Sequence, residues 1–517
     1  MVAPDAARPR LGGKALMPAA RPLGSILEEV IASDPDRPAL IIDGTVTSYA
    51  QLGAAVDQCA AALRAAGVAP GWRIPLVDDT SVLSAAVLIG ATHAGAAAAL
   101  MNPRLTSGEL SVLMEAADTA PIGVAGASSV DNLGGVGGTT VLGPEDLLGG
   151  RSAGRQGDHD GAVGDPLPSD EAVVLFTSGT TGTPKAVALT HGLLGPKIAA
   201  FAPAVESEPT AALMCVPFVH IGGMLGLLVQ LAKGNTTVVQ TRFDAGRWLA
   251  LVARHGVQTS FLVPTMLHRI LDHPDFATTD LGSLTSLTYG AAPASPDLIR
   301  RAMASLPGVE LTNTFGQTET MGSITALGPG DHAAERLASV GRPLPGVEVR
   351  IVDPTTGDPL PPGTVGELWV KSEGSVVPSA QAKDAAVPAG WFRTGDMVSA
   401  DEDGYLYPSG RLTDTINRGG EKFAPSEVEA VVRTHPAVRD VAVVGVPDPE
   451  MGHRVGCAIV GREAITDQAL RDFCRGRIAN FKVPEIVMVV DEIPYNDFGK
   501  VDRKELRARF AARSALR

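Results

Sequence analysis

Short apolar strands followed by amphipathic helices recur along most of this 517-residue chain. The segments at 257–274 and 283–306 each read as a buried strand running into a helix. The stretch at 211–234 repeats strand, turn and helix. An earlier helix, from about Ala50 to Ala66, sets Leu52, Val56, Ala60 and Leu63 on one stripe. A short strand pair precedes it, at 40–49. Strands that alternate with helices bury both faces of a sheet, so the fold class is α/β in layers. The run at 81–100 is the most apolar, but it is mostly alanine and carries His93, which suits a buried helix and strand rather than a membrane span.

Length forbids a single core. From Gly341 the rhythm changes to short strands, which indicates a β-rich, barrel-like part. The last hundred residues carry a pattern of their own, with a helix led by Pro425 and Ser426, strands at 438–447 and 454–460, a helix near 467–480 and a basic C-terminal helix. The expected division is a loose arm at 1–22, a large domain at 23–410, a hinge at 411–413 and a small mobile α+β domain at 414–517. Residues 124–168, rich in Gly, Asp and Ser, read as loop or linker with a short strand near Thr140.

A formal charge of −14 argues against a broad nucleic-acid or anionic-membrane surface. It does not argue against a nucleotide, which a few local cations and backbone N–H groups can hold. The four cysteines form no metal-like cluster and suit a reducing compartment. No secretory signal is evident, so a cytoplasmic protein is expected.

Residues 177–185 read Thr-Ser-Gly-Thr-Thr-Gly-Thr-Pro-Lys. Gly179 and Gly182 let the backbone turn tightly and present N–H groups. Thr177, Ser178, Thr180 and Thr181 offer hydroxyls to phosphate oxygens, and Lys185 adds positive charge. Here the lysine leads into a β-type run, unlike the lysine that precedes a helix in the GxxxxGK[ST] loop. At 313–319, Asn313, Phe315, Gly316, Thr318 and Glu319 combine a flat ring, a hydroxyl and a carboxylate. Such a set can stack on a base, bind a phosphate oxygen and hold Mg²⁺.

The 177–185 segment closely resembles the signature of the adenylate-forming superfamily: acyl-CoA synthetases, luciferase-like enzymes and peptide-synthetase adenylation domains. Later motifs follow in the expected order, so the resemblance covers nearly the whole chain. It implies that Gly290, Ala291 and Ala292 run along the adenine and acyl group, that Asp396 accepts from the ribose hydroxyls, and that Arg411 lies at ribose or phosphate. Phe315 stands where the family usually has Tyr, which keeps the ring and loses the hydroxyl. The segment at 417–422, with Gly419, Gly420 and Lys422, is the one that lines the thiol tunnel in family members. Lys500 resembles the adenylation lysine. The implied cycle activates a carboxylic acid with ATP and Mg²⁺, then rotates the small domain and transfers the acyl group to a thiol, most simply that of coenzyme A.

The resemblance also sets His220 at the gate of the acyl pocket, grouped with the catalytic Lys185, Thr318, Glu319 and Lys500 but not needed as acid or base. Pocket segments containing Val219, Gly222, Gly223, Tyr289, Ala291 and Met321 are small or apolar. No Asp in 217–223 would hold a substrate amine, so a fatty, aromatic or alicyclic acid is favoured over an amino acid. A small dicarboxylate stays open, because 417–422 is similar to oxalate-type ligases although no extra cation is evident. A separate carrier protein is the alternative acceptor, with Arg418 and Lys422 the candidates for the CoA phosphate. Luciferase-type oxidative chemistry ranks low. A non-catalytic nucleotide binder would have no use for Lys500. Thr413 departs from the Asp or Lys usual at the hinge, and 373–390 departs from the family's aromatic stretch. A monomer or homodimer fits either reading.

Overall fold

The computed structural model describes residues 23–149, 166–177, 185–372, 387–418, 421–448, 450–496 and 500–515. The expectations for the 1–22 arm, Ser178, Gly179, Thr180, Thr181, Gly182, Gly419, Gly420 and most of 373–390 lie outside these residues, as does the side chain of Lys422.

A six-stranded sheet has the order Thr140–Leu142, Ile122–Ala125, Arg73–Val77, Ala97–Met101, Glu171–Thr177, Lys185–Thr190. The first five run parallel and the last two form an antiparallel pair. Its strands are apolar on both faces because helices cover them, and Ala97–Met101 is buried at every residue. The helix Val82–His93 carries small residues for a packing reason. A Cβ at Gly90 would lie 2.8 Å from the Val56 carbonyl oxygen, on the neighbouring helix Tyr49–Ala65. That neighbour starts one residue before its expected first residue, because Ser48 and Gln51 cap it reciprocally, Gln51 N to Ser48 Oγ at 3.3 Å and Ser48 N to Gln51 Oε1 at 2.9 Å. Such a cap contributes about 1 kcal/mol.

The region read as linker is structured up to residue 149. It supplies the strands Ile122–Ala125 and Thr140–Leu142 and the helices Val130–Gly134 and Pro144–Leu148. Elements of three to five residues are too short to show a period.

A nine-stranded sheet has the order Arg342–Pro343, Gly322–Leu327, Glu310–Gln317, Ser286–Gly290, Thr259–Leu262, Ala211–Met214, Thr236–Val239, Pro38–Ile42, Thr45–Ser48. Six of these run parallel in the middle, and antiparallel partners close both edges. The early strand pair therefore completes a sheet built mainly from residues 211–343. Beyond it, Glu348–Val352, Gly366–Lys371, Phe392–Ala400 and Leu406–Arg411 form a four-stranded antiparallel sheet. Backbone bonds from Val340 N to Leu406 O and Leu406 N to Gly341 O, both 2.9 Å, tie its edge to the larger sheet.

Residues after Arg411 make a separate five-stranded sheet from Glu421–Phe423, Ile416–Arg418, Gly452–Gly461, Val438–Asp448 and Ile486–Val489. Helices Pro425–Arg433, Asp467–Cys474 and Arg503–Ala515 accompany it. The helix expected to reach about residue 480 stops at Cys474, just before Gly476, which sits at φ +77° where the left-handed turn favours glycine.

Candidate active site

The antiparallel pair Glu171–Thr177 and Lys185–Thr190 places Thr177 directly opposite Lys185. The expected phosphate loop thus joins two neighbouring strand ends, and Lys185 is exposed at one of them. Thr177 Oγ1 donates to Glu319 Oε1 at 3.3 Å, which brings the loop's first residue to the proposed metal carboxylate. Hard oxygen donors of this kind fit Mg²⁺.

Glu319 lies in the turn between Glu310–Gln317 and Gly322–Leu327. Gln317 N donates to Thr320 Oγ1 at 2.9 Å, and Thr320 Oγ1 donates to the Gly322 carbonyl at 2.9 Å. The turn is tight enough that a Cβ at Gly316 would sit 1.8 Å from the Gly322 oxygen. Met321 holds φ +56° there, and Ala291 holds φ +64° just after Gly290. Left-handed backbone costs a non-glycine residue roughly 1–2 kcal/mol, and such strain gathers at functional sites. Thr318, Phe315 and Ala292 are half-buried and Ala291 is exposed. Phe315 packs beside Ile324 and Val340. Asn313 is buried, with its amide donating to the Ser339 carbonyl at 3.0 Å.

Asp396 stands on Phe392–Ala400 with its side chain 9 % exposed. Arg411 Nε donates to its Oδ1 at 3.0 Å, and Gln317 Nε2 donates to its Oδ2. Burial raises the Asp396 pKa, while Arg411, Gln317 and Lys500 pull it down. Gln317 is a residue of this cluster that the sequence reading did not single out. It also donates to the Thr394 carbonyl at 3.0 Å, so it bridges the turn that holds Glu319 to the strand that holds Asp396. Its position two residues before Glu319, inside the same motif, was the available signal.

Lys500 comes from the small domain and is exposed as a residue. Backbone and side chain of Asn496 close its loop, with Lys500 N donating to Asn496 Oδ1 at 3.0 Å and Asn496 N donating to Lys500 O at 2.8 Å. Desolvation and then Arg411 lower its pKa, while Asp396 and Glu319 raise it. Lys500 therefore shares one electrostatic neighbourhood with three residues of the large domain. Ser426 donates to the Ser409 carbonyl across the same junction.

His220, expected at the gate of the acyl pocket, immediately precedes the helix Ile221–Lys233. Its side chain makes no capping bond to that helix, and it lines a cavity of about 10 Å³, room for one water, with Asp78, Asn102, Arg104 and Val219. Burial pushes the Asp78 carboxyl up to about 6. None of Glu319, Asp396, Arg411 or Lys500 lines that cavity. Tyr289 is 1 % exposed, its hydroxyl 3.1 Å from His332 Nε2, and Met321 is fully buried. Neither keeps the accessible surface an open pocket wall would have. Arg418 forks onto Glu485, Nε to Oε2 and Nη2 to Oε1 both at 2.9 Å, so in this arrangement its guanidinium is engaged.

The family model of AMP-binding enzymes matches residues 27–377, and that of the AMP-binding enzyme C-terminal domain matches 427–500. The chain is 31% identical over 504 residues to a fatty acid–[acyl-carrier-protein] ligase of Streptomyces coeruleorubidus, covering 93% of this chain and 95% of that one. It is 34% identical to a feruloyl-CoA synthase of an Amycolatopsis species, over 90% of this chain and 94% of the relative. The o-succinylbenzoate coenzyme A synthetase of Bacillus subtilis, solved with ATP and a magnesium ion, superposes with a TM-score of 0.81 at 26% identity. That match covers 94% of this chain and 99% of the other. Among the described residues no helix is long and apolar enough to cross a membrane. The chain belongs to the AMP-binding enzyme family and is an ATP-binding, AMP-forming acid–thiol ligase of the acyl-CoA synthetase type.

Proposed function

We propose that the chain converts a carboxylic acid and ATP to an acyl-adenylate and pyrophosphate at the cluster around Asp396, then transfers the acyl group to coenzyme A with release of AMP. The observation that carries this reading is the cluster in which Thr177 reaches Glu319 and Gln317 and Arg411 hold Asp396, with Lys500 of the small domain near enough to feel the charges of Arg411, Asp396 and Glu319. Carboxylate attack on the α-phosphate brings two anions together, and a cation held at that point offsets the charge that develops.

The residues divide the work. The 177–185 segment receives the triphosphate, with Thr177 and Lys185 at its two ends. Asp396, oriented by Gln317 and Arg411, accepts from the ribose hydroxyls, and the Phe315 ring lies at the base. Thr318 binds a phosphate oxygen, and Glu319 is the residue that would hold Mg²⁺, which when bound neutralises phosphate charge. The 411–413 hinge then lets residues 414–517 rotate, which withdraws Lys500 and presents the 417–422 segment to the thiol. The four cysteines described are all unpaired and buried, which supports a reducing, cytoplasmic setting.

A carrier-protein thiol is the second reading, supported by the relative from Streptomyces coeruleorubidus and by the engagement of Arg418 with Glu485. ATP consumption against a panel of carboxylic acids, with and without CoA and with products identified by mass, tests both. AMP and acyl-CoA from one acid class support the first. Pyrophosphate exchange without any CoA thioester moves the acceptor to a carrier protein. No exchange with any acid contradicts the adenylation reading.

A further inference from the structure

Lys197 lies on the helix His191–Phe201 that follows the phosphate-loop strand pair. Its Nζ donates to the Ser323 carbonyl at 3.1 Å and lies 5.6 Å from the Phe201 ring centre. No carboxylate among the described residues pairs with it, and the only influence on its pKa is desolvation, which lowers it. An ammonium has three donors, and a partly buried one that faces a single carbonyl oxygen is costly to keep. Most lysines in such places are paired. Lys233, partly buried as well, meets Glu206 at 3.1 Å.

The place matters as much as the missing partner. Ser323 is four residues beyond Glu319, on the strand that leaves the proposed metal turn, and it pairs with Gly316 beside Phe315. The preceding residue, Gly322, faces the start of the helix Ile221–Lys233, where a Cβ would meet Leu225 Cδ2 at 3.7 Å and Ile221 Cγ1 at 3.8 Å. Gly222, the second residue of that helix, is exposed, and among the described residues a Cβ there would meet Phe261 at 3.9 Å. Lys197 thus brings a cation to the strand residue next to Gly322, where the segments expected to contain the acyl group meet.

We propose that Lys197 receives a second anionic group at the distal end of the acid, so that the substrate class is an acid carrying a further carboxylate. The inference rests on the adenylation reading above and deepens it. The sequence offered no obvious cation for such a group, because Lys197 and Ser323 are 126 residues apart. One carboxylate oxygen accepting from Nζ would supply the missing counter-charge without displacing the bond to Ser323. A distal carboxylate left without a cation would be rejected by the apolar walls.

The test is pyrophosphate exchange by the full chain with linear and aromatic dicarboxylic acids, each beside the monocarboxylic acid of matching size, in wild type, Lys197→Met and Lys197→Arg. Wild type is expected to favour the diacid about 10- to 100-fold, the worth of one hydrogen bond between charged groups. Lys197→Met is expected to lose that preference through the diacid's kcat/KM alone, with the monoacid unchanged or improved, and Lys197→Arg to keep part of it. Wild type that prefers monoacids overturns the proposal, whatever the variants do. An equal loss on both acids in Lys197→Met also overturns it, because that marks a lysine that only ties helix to strand. No exchange with any acid removes the adenylation reading itself, whereas exchange that favours monoacids removes this inference alone.

Discussion

At the scale of single residues, charge in the cleft decides what happens. Lys500 has its pKa lowered by desolvation and by Arg411, and adenylation needs its protonated form. The rate of acid-dependent pyrophosphate exchange should therefore fall as pH rises through a value below the ordinary lysine pKa of about 10.4. Lys500→Arg should move that fall to higher pH, and a profile identical in both proteins would show that another group titrates. Gln317 gives a second prediction. Removing its amide in Gln317→Leu should raise KM for ATP about tenfold or more, the worth of a hydrogen bond to a charged group, with kcat changed far less. An equal loss in kcat would mean that Gln317 serves the chemistry rather than the seat of Asp396. Phe315, Thr318 and Glu319 stood out because a ring, a hydroxyl and a carboxylate share one short run, whereas Asp396, Arg411 and Lys500 were singled out only by the resemblance of their segments to the family. Gln317 and Lys197 were not, because their partners lie 79 and 126 residues away, and no local pattern encodes such pairings.

At the scale of elements, period and length set what could be read. The long helices Tyr49–Ala65 and Val82–His93 were legible because a core-facing stripe or an unbroken apolar run persists over several turns. Within 124–168, read as loop or linker, the strand near Thr140 was expected and is present as Thr140–Leu142, but the helices Val130–Gly134 and Pro144–Leu148 were missed because each is too short for a period to emerge. Strand order was also hidden. Pairing of Pro38–Ile42 with Thr236–Val239 is a contact between distant segments that neither segment announces. The packing of the two long helices makes a prediction. In Gly90→Val the new side chain meets the Val56 carbonyl, which backbone can relieve only by shifting. Urea unfolding should show a loss of about 1–3 kcal/mol, as for other overpacked cores. Activity per folded molecule should stay near wild type, since neither helix carries a residue of the cluster. No loss of stability would show that the helices can separate freely.

At the scale of the whole molecule, the issue is how one site performs two reactions. The turn Leu412–Asp414 follows Arg411 directly. Asp414 is held by Arg507 Nη2 at 2.8 Å and lies 3.5 Å from Arg503 Nε. Both arginines belong to the C-terminal helix, so Asp414 moves with the small domain. Backbone rotation then falls to Leu412 and Thr413. A β-branched Thr413 restricts that rotation, and Thr413→Lys should change the ratio of the adenylation and thioester rates in single-turnover experiments. If both rates stay at wild-type values, the side chain at 413 has no part in the balance.

Separating the two half-reactions in Lys500→Ala tests the central claim most directly. The variant should lose acid-dependent adenylation by about 10²–10³-fold, as when one preorganised donor is removed from a developing charge. Given preformed acyl-adenylate and CoA, it should still make thioester at close to the wild-type rate. Loss of both half-reactions to the same degree, or of neither, would contradict a lysine that acts in the first step and withdraws for the second.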